Sequence, residues 1–310
     1  MLAVFLQTIP FFLIIGLGYG AGRTGFFPEP ATAWLTKFVF YFALSAMLFR
    51  FSANLSIAEV FDIWFVAAYL CATGVVYLAA TGIAMLRRQT VEVAAVEAQC
   101  AVIGNVGFLG IPMLTLLMGE DAIVSIMLVL AVDLIVFGSL IVILVTGSRD
   151  GRMNVRVLGT VGMGLLKNPM IVSIVLGLLW SGLALPIPQV MNDFLSLLGG
   201  AATPGALFAI GASLASKSAE RPVIAGYLSA CKLVLHPAAV AVAALLVFPV
   251  APYPAAVMIA AAALPVAGNV YILAQHYGVA PQRVSASILI STTLAVVTVS
   301  LVIGWVSALY

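Results

Sequence analysis

Apolar residues along this chain come in long runs. They show neither the alternation of a half-buried strand nor the narrow stripe of a soluble amphipathic helix. A helix that crosses a bilayer needs about 20 predominantly apolar residues. Ten such runs occur, near 3–22, 31–50, 60–86, 91–118, 121–146, 168–185, 189–216, 222–248, 252–277 and 283–308, numbered here as spans 1 to 10. The connections between them are short. The longest polar stretch, Gly147–Arg156, carries Arg149, Arg152 and Arg156, and it is expected to continue as a short interfacial segment before Lys167. No basic residue precedes the first apolar run, which therefore reads as a retained span and not a cleaved signal peptide.

Composition sharpens this picture. The chain has 310 residues, 64% of them hydrophobic and 8% charged, with a mean hydropathy of +1.22. A soluble domain of this length carries about 78 charged residues; this chain has 24. A water-soluble enzyme, a disordered chain and a nucleic-acid binder are excluded. The net charge of +2 provides no basic surface for a phosphate backbone. The expected fold class is an all-α polytopic membrane protein. Cys71, Cys100 and Cys231 all fall inside apolar stretches and read as small buried hydrophobes.

Lysine and arginine positions orient the spans. Connections after odd-numbered spans hold Arg23, Arg87, Arg88, Arg149, Arg152, Arg156, Lys167, Lys217, Arg221 and Arg283, whereas those after even-numbered spans hold only Arg50. This asymmetry predicts cytoplasmic odd-numbered connections and both termini outside.

The two halves look alike. Pro10 precedes Leu17-Gly18 in span 1 as Pro169 precedes Leu176-Gly177 in span 6. Gly104-Asn105-Val106 in span 4 recurs as Gly268-Asn269-Val270 in span 9, 164 residues later. Five spans per half give the halves opposite orientation, the inverted repeat common among secondary transporters. Both motifs sit among helix breakers: Gly104, Gly107, Gly110 and Pro112 in span 4, Pro265 and Gly268 in span 9. Interrupted backbone at membrane depth survives only where protein or a water-filled cavity satisfies it. Paired interruptions in inverted halves point to a transport site, and half-helix N-termini suit an anion.

The segments Gly104–Leu114 (GNVGFLGIPML), Asn168–Pro188 (NPMIVSIVLGLLWSGLALPIP), Ala202–Ala215 (ATPGALFAIGASLA), Lys232–Pro237 (KLVLHP) and Leu264–Gly278 (LPVAGNVYILAQHYG) resemble the auxin efflux carrier family of membrane transporters. The resemblance spans nearly the whole chain, and the short central connection is like the prokaryotic members. It implies ten helices in a 5+5 inverted repeat of the bile-acid-symporter-like kind, with crossing broken spans 4 and 9. It implies scaffold helices in 1–52 and, after the interfacial segment, in 148–218. Transport-domain helices would occupy 53–147 and 219–310. It also implies small carboxylate substrates (auxin in plants, malate or malonate in bacterial relatives), elevator-type movement, a homodimer through the scaffold and a bacterial inner-membrane location. Span 2 departs from the family pattern, with Ser45 in Ala43-Leu44-Ser45-Ala46 where relatives usually place a proline.

Asn105 and Asn269 are the first candidates for substrate contact, since each offers an amide donor and acceptor at a helix break. Each could equally satisfy backbone freed by the break. Gly104, Gly107 and Gly268 permit close backbone approach, Pro112 and Pro265 shape the crossing, and Tyr271 either stacks on a planar substrate or packs between helices. Asp133 and Lys232 lie deep in spans 5 and 8, where an unpaired charge costs at least about 2.5–3.5 kcal/mol. They read as a static pair, or as a proton relay and a cationic anchor. His236 shares a helix face with Lys232 and is either a proton carrier or a neutral, hydrogen-bonded ring beside Pro237. Glu97 lines an inner vestibule or is simply wet. Lys37 is expected to snorkel to the interface. The glycines at 16, 18, 20 and 22 read as close helix packing, because a nucleotide fingerprint needs a strand before it.

No metal or cofactor is expected. The chain lacks a phosphate-binding loop for an ATP-driven pump, a second intramembrane aspartate for an aspartyl protease and any HExxH zinc spacing. A receptor without transport is a further alternative. Ala260–Gly268 holds no carboxylate, which disfavours sodium coupling. Proton coupling through Asp133, Glu97 or His236 fits the sequence, and so does potential-driven anion movement. The reading is a secondary active or potential-driven carrier of small organic anions, with a cation/proton antiporter using Asp133 as the alternative.

Overall fold

The computed structural model describes residues 2–54, 62–150, 159, 162–163, 166–216 and 222–309. Most of the expected interfacial segment before Lys167 lies outside them, as do Arg152, Arg156, Lys217 and Arg221. Among the described residues there is no β-strand. The helices are α1 (Leu2–Arg23), α2 (Glu29–Ala53), α3 (Ile63–Leu86), α4 (Val91–Val102), α5 (Val106–Met118), α6 (Ala122–Ser148), α7 (Pro169–Gly182), α8 (Gln189–Ala215), α9 (Pro222–Val247), α10 (Pro252–Ala262), α11 (Gly268–Tyr277) and α12 (Pro281–Val306). Six of them, α2, α3, α6, α8, α9 and α12, are long and apolar enough to cross a membrane; α5, α7, α10 and the Ile9–Arg23 part of α1 are shorter apolar helices. The molecule is a multi-pass helical membrane protein.

Local chemistry sets the helix ends. The Asp62 side chain accepts from the N–H groups of Trp64 and Phe65 at 2.8 and 3.2 Å and opens α3. Asn168 does the same for Met170 at 3.0 Å, and Pro169 occupies the first turn of α7. Gly119, at φ +97°, stops α5 in a conformation that L side chains rarely adopt.

Several helices contain one widened turn with i→i+5 geometry: Val39–Ala43, Val106–Gly110, Asp133–Phe137, Cys231–Leu235 and Ala243–Val247. Three of these precede a proline by two residues, Pro112, Pro237 and Pro249, and proline has no N–H to return to the preceding turn. In α2 no proline is involved. There Ser45 Oγ donates to the Phe40 carbonyl at 3.2 Å, so the hydroxyl serves the backbone loosened by the wide turn. In α6 the Phe137 carbonyl accepts from Gln99 Nε2 at 2.6 Å.

Burial is arranged for a lipid solvent. Large apolar side chains such as Leu13, Leu78, Leu116 and Leu246 stand exposed on outer faces, while Thr73, Gln99, Asp133, Lys232, His236 and Ser291 are buried. Small residues bring helices together. A Cβ on Gly18 would collide with the Phe208 carbonyl and one on Gly211 with that of Ile15, so α1 and α8 touch backbone to backbone. Gly22 packs on Ala212 and Ala215 of the same helix, whereas Gly16 and Gly20 face open space. Gly177 fits α7 against Ser52 and Phe49 of α2. Lys37 lies with its ammonium 4.5 Å above the Trp34 ring. Cys100 and Cys231 are buried as expected, but Cys71 is exposed: it sits on the outer side of α3, where a small apolar thiol faces lipid at little cost.

Candidate functional site

The breaks in spans 4 and 9 meet. Between α4 and α5 the chain leaves helical geometry over Ile103–Asn105, and between α10 and α11 it does so around Pro265. The Asn105 N–H donates to the Pro265 carbonyl at 2.8 Å, and the Ala267 N–H donates to the Ile103 carbonyl at 3.1 Å. Gly104 and Val266 therefore form an isolated antiparallel bridge. The Val266 N–H finds Ser291 Oγ of α12 at 3.1 Å. Backbone freed by proline and glycine is thus satisfied by the opposite break and by one serine, as the low-dielectric setting requires.

Two half-helices start from this crossing. The Asn105 carbonyl accepts from the N–H groups of Leu109 and Gly110 at 3.0 and 2.9 Å and begins α5. Gly268 begins α11 behind Ala267, whose side chain cannot cap. The first N–H groups of a helix have no intrahelical acceptor, and they carry the positive end of its dipole. Asn105 is buried beside one start and Asn269 lies partly buried in the other. Asn269 Oδ1 is buried without a hydrogen-bond partner. A Cβ added at Gly268 would meet nothing within 4 Å. The site therefore has room and unused polar capacity on the span-9 side.

The other candidates form its frame. Gly104 lies against Lys232, and an added Cβ would be 3.3 Å from Lys232 Nζ and from the Ala261 carbonyl. Gly107 packs on Met170 of α7. Phe108 stacks on Phe40 of α2, with ring centroids 6.1 Å apart and planes 7° from parallel. Pro112 and Pro265 are buried; Tyr271 is half-buried against the core.

Asp133 and Lys232, which the sequence leaves open as a static pair or as separate relay and anchor, form no ion pair. Lys232 Nζ donates to the Ala262 carbonyl at the C-terminal end of α10 and lies 3.2 Å from His236 Nδ1. A donor there satisfies a carbonyl that has no intrahelical partner at the end of the half-helix. His236 Nε2 is 3.0 Å from Thr73 Oγ1. Asp133 Oδ1 accepts from the Tyr69 hydroxyl at 2.9 Å, and Oδ2 is buried without a partner. Tyr69 also sets its ring edge-on to His236, at 5.9 Å between centroids. Tyr69 and Thr73, four residues apart on α3, thus tie the Asp133 and Lys232 groups together. Sequence reasoning missed both. Their i, i+4 spacing is the signal that was available, and Tyr77 and Thr81 repeat it on the same helix.

Glu97 is neither wet nor lining a vestibule. It is 1% exposed, ion-paired with Arg87 and, at 2.5 Å, with Arg283 Nη1. Arg283 also donates to Gln89 Oε1 at 2.9 Å, and Arg87 lies over the Tyr227 ring. The cluster joins α3, α4, α9 and α12. A carboxylate held by two guanidinium groups is a clamp between helices.

Apolar spanning helices that expose hydrophobic side chains outward and cross two broken helices inside are the architecture of a membrane transport protein. Residues 3–303 match the family described as "Membrane transport protein", the auxin efflux carrier family, and the chain belongs to it. A protein of Rhizobium meliloti (strain 1021) named "Putative malonate transporter" is 32% identical over 298 residues, covering 94% of this chain and 92% of its own. The protein is a membrane transporter and not an enzyme.

Proposed function

We propose that the protein is a secondary carrier of small organic anions, carboxylates of the malonate or malate kind, with the substrate held where spans 4 and 9 cross. The observation that carries this reading is the reciprocal backbone pairing of the two breaks. It ties together the two breaks from which the half-helices start, with Asn105 at one and Asn269 at the other. A carboxylate placed there would accept from amide groups and helix N–H groups together. The malonate name of the relative agrees with this chemistry.

The wider architecture we propose is ten spans in a 5+5 inverted repeat, with both termini outside a bacterial inner membrane. The lysine and arginine asymmetry and the recurrence of Gly-Asn-Val support it. Spans 1, 2, 6 and 7 would form the scaffold and the remaining helices a transport domain moving as an elevator. The tight α1–α8 and α2–α7 contacts support a rigid scaffold. The flat Phe40–Phe108 stack and the Met170–Gly107 contact would be the surface along which the moving part slides. A dimer through the scaffold would hold it still. Lys232 Nζ already occupies the Ala262 carbonyl at the end of α10, which argues against sodium at that helix end.

The test is uptake of a panel of labelled carboxylates into proteoliposomes, with sodium and pH varied independently. Saturable uptake of one acid, competed by its analogues, supports the carrier. Silence to all acids together with cation flux on a sodium or pH jump supports the antiporter instead.

A further inference from the structure

We propose that Asp133 is the proton-carrying group of this carrier, and that Tyr69, His236 and Lys232 link its charge state to the crossover. This rests on the carboxylate-carrier reading above. Asp133 is 4% exposed within an apolar helix. The other buried carboxylate among the described residues, Glu97, is matched by two arginines. Asp133 has only the Tyr69 hydroxyl, on Oδ1. Oδ2 has no partner and is the open position for a proton. Neutral Asp133 and charged Lys232 differ from the ionised pair by one unit of charge, and the two groups are near each other without touching.

The groups that face Asp133 are few. From α3 come Tyr69 and, one turn on, Thr73. Behind Tyr69, from α9, stand His236 and, beyond it, Lys232. From α4 comes the neutral amide of Gln99, bonded to the Phe137 carbonyl one turn along. These contacts run without interruption from Asp133 through Tyr69 to His236, on to Lys232, and so to the Ala262 carbonyl beside the crossing. Asp133 and Lys232 each lie in a widened turn, a feature often found at functional sites.

The step is simple to balance. A proton from water on the side to which the site is open binds Asp133 Oδ2, forming one O–H bond. The loaded carrier changes sides with its anion. The O–H bond then breaks and the proton leaves to water on the other side. Each proton carried reduces by one the negative charge that crosses the membrane with the substrate.

The experiment uses the full chain in liposomes containing a pH-sensitive dye, with labelled malonate as probe. In the wild type, malonate entry should acidify the interior. An inward acid gradient should raise accumulation by about tenfold per pH unit, as one proton per cycle requires. Asp133→Asn should lose the gradient response while still exchanging malonate for malonate. Wild-type exchange with no dye signal and no gradient response overturns the proposal and leaves the carboxylate carrier standing. A gradient response retained in Asp133→Asn also overturns it. Should Asp133→Asn lose exchange as well, Tyr69→Phe decides: the carboxyl group stays but its donor goes. The pH profile of gradient-driven uptake should then shift with exchange preserved, and an unmoved profile counts against the proposal. A wild type that exchanges neither malonate nor any other acid of the carboxylate panel refutes the carrier reading, and this proposal with it.

Discussion

The peptide N–H of Asn105 donates to the Pro265 carbonyl at 2.8 Å, although the two residues lie in different halves of the chain. With its reciprocal bond from Ala267 to Ile103, it turns two weakened helices into one fixed crossing. A proline and its neighbours thereby find partners without water, and the half-helix ends are held apart from them.

Asn269 should matter for transport and little for folding. Its Oδ1 accepts from no protein group, so its removal orphans no donor. Asn269→Ala should reduce carboxylate transport by tenfold or more, reflecting loss of about 1.5–3 kcal/mol from a charge-assisted hydrogen bond. The melting temperature in detergent should stay near wild type. A large fall in melting temperature would make the asparagine structural.

Glycines at the crossing should separate in a defined way. Gly268→Ala adds a methyl to open space at a helix start, so stability should hold while carboxylate affinity falls. Gly104→Val must push on Lys232 and the Ala261 carbonyl, and should destabilise by about 1–3 kcal/mol. Thermal unfolding and transport measured side by side check both. Equal loss of stability in the two variants would contradict this geometry.

The Glu97 clamp should be the larger stability determinant. Glu97→Ala leaves two arginines facing an emptied, buried position. Breaking a buried ion pair costs about 3–5 kcal/mol, with the lower end expected because Arg87 is 29% exposed. Arg87→Gln should cost less, since Arg283 remains on the carboxylate. Thermal shift assays at two salt concentrations give the ranking, and the reverse order would refute it.

Lys232→Met should disturb the span-9 break. It removes the donor to the Ala262 carbonyl and the neighbour of His236, leaving buried acceptors that cost about 1–3 kcal/mol each. Protection of the α10 backbone against hydrogen exchange should fall. Unchanged protection would mean that the lysine does not cap that helix.

Much of this was legible in the sequence, for physical reasons. Long apolar runs and scarce charge dictate the helices, and proline and glycine beside Asn105 and Asn269 mark the breaks. What the runs could not disclose was pairing across the fold. Asp133 and Lys232 looked like partners because each was a lone charge at similar depth; the structure gives them Tyr69 and the Ala262 carbonyl instead. Glu97 looked wet because Arg87 and Arg283 counted only as interfacial charges, and Arg283 is 186 positions away. The widened turns at Val39–Ala43 and Asp133–Phe137 leave no residue signature, since no proline follows them closely.

The central claim is that a carboxylate binds at the crossing. The most direct measurement is the charge movement triggered by a malonate jump on proteoliposomes, for the wild type and for Asn269→Ala. The account predicts a saturable transient current in the wild type, nearly abolished in Asn269→Ala at equal protein density. Equal currents in both, or none in the wild type with any carboxylate tested, would contradict it.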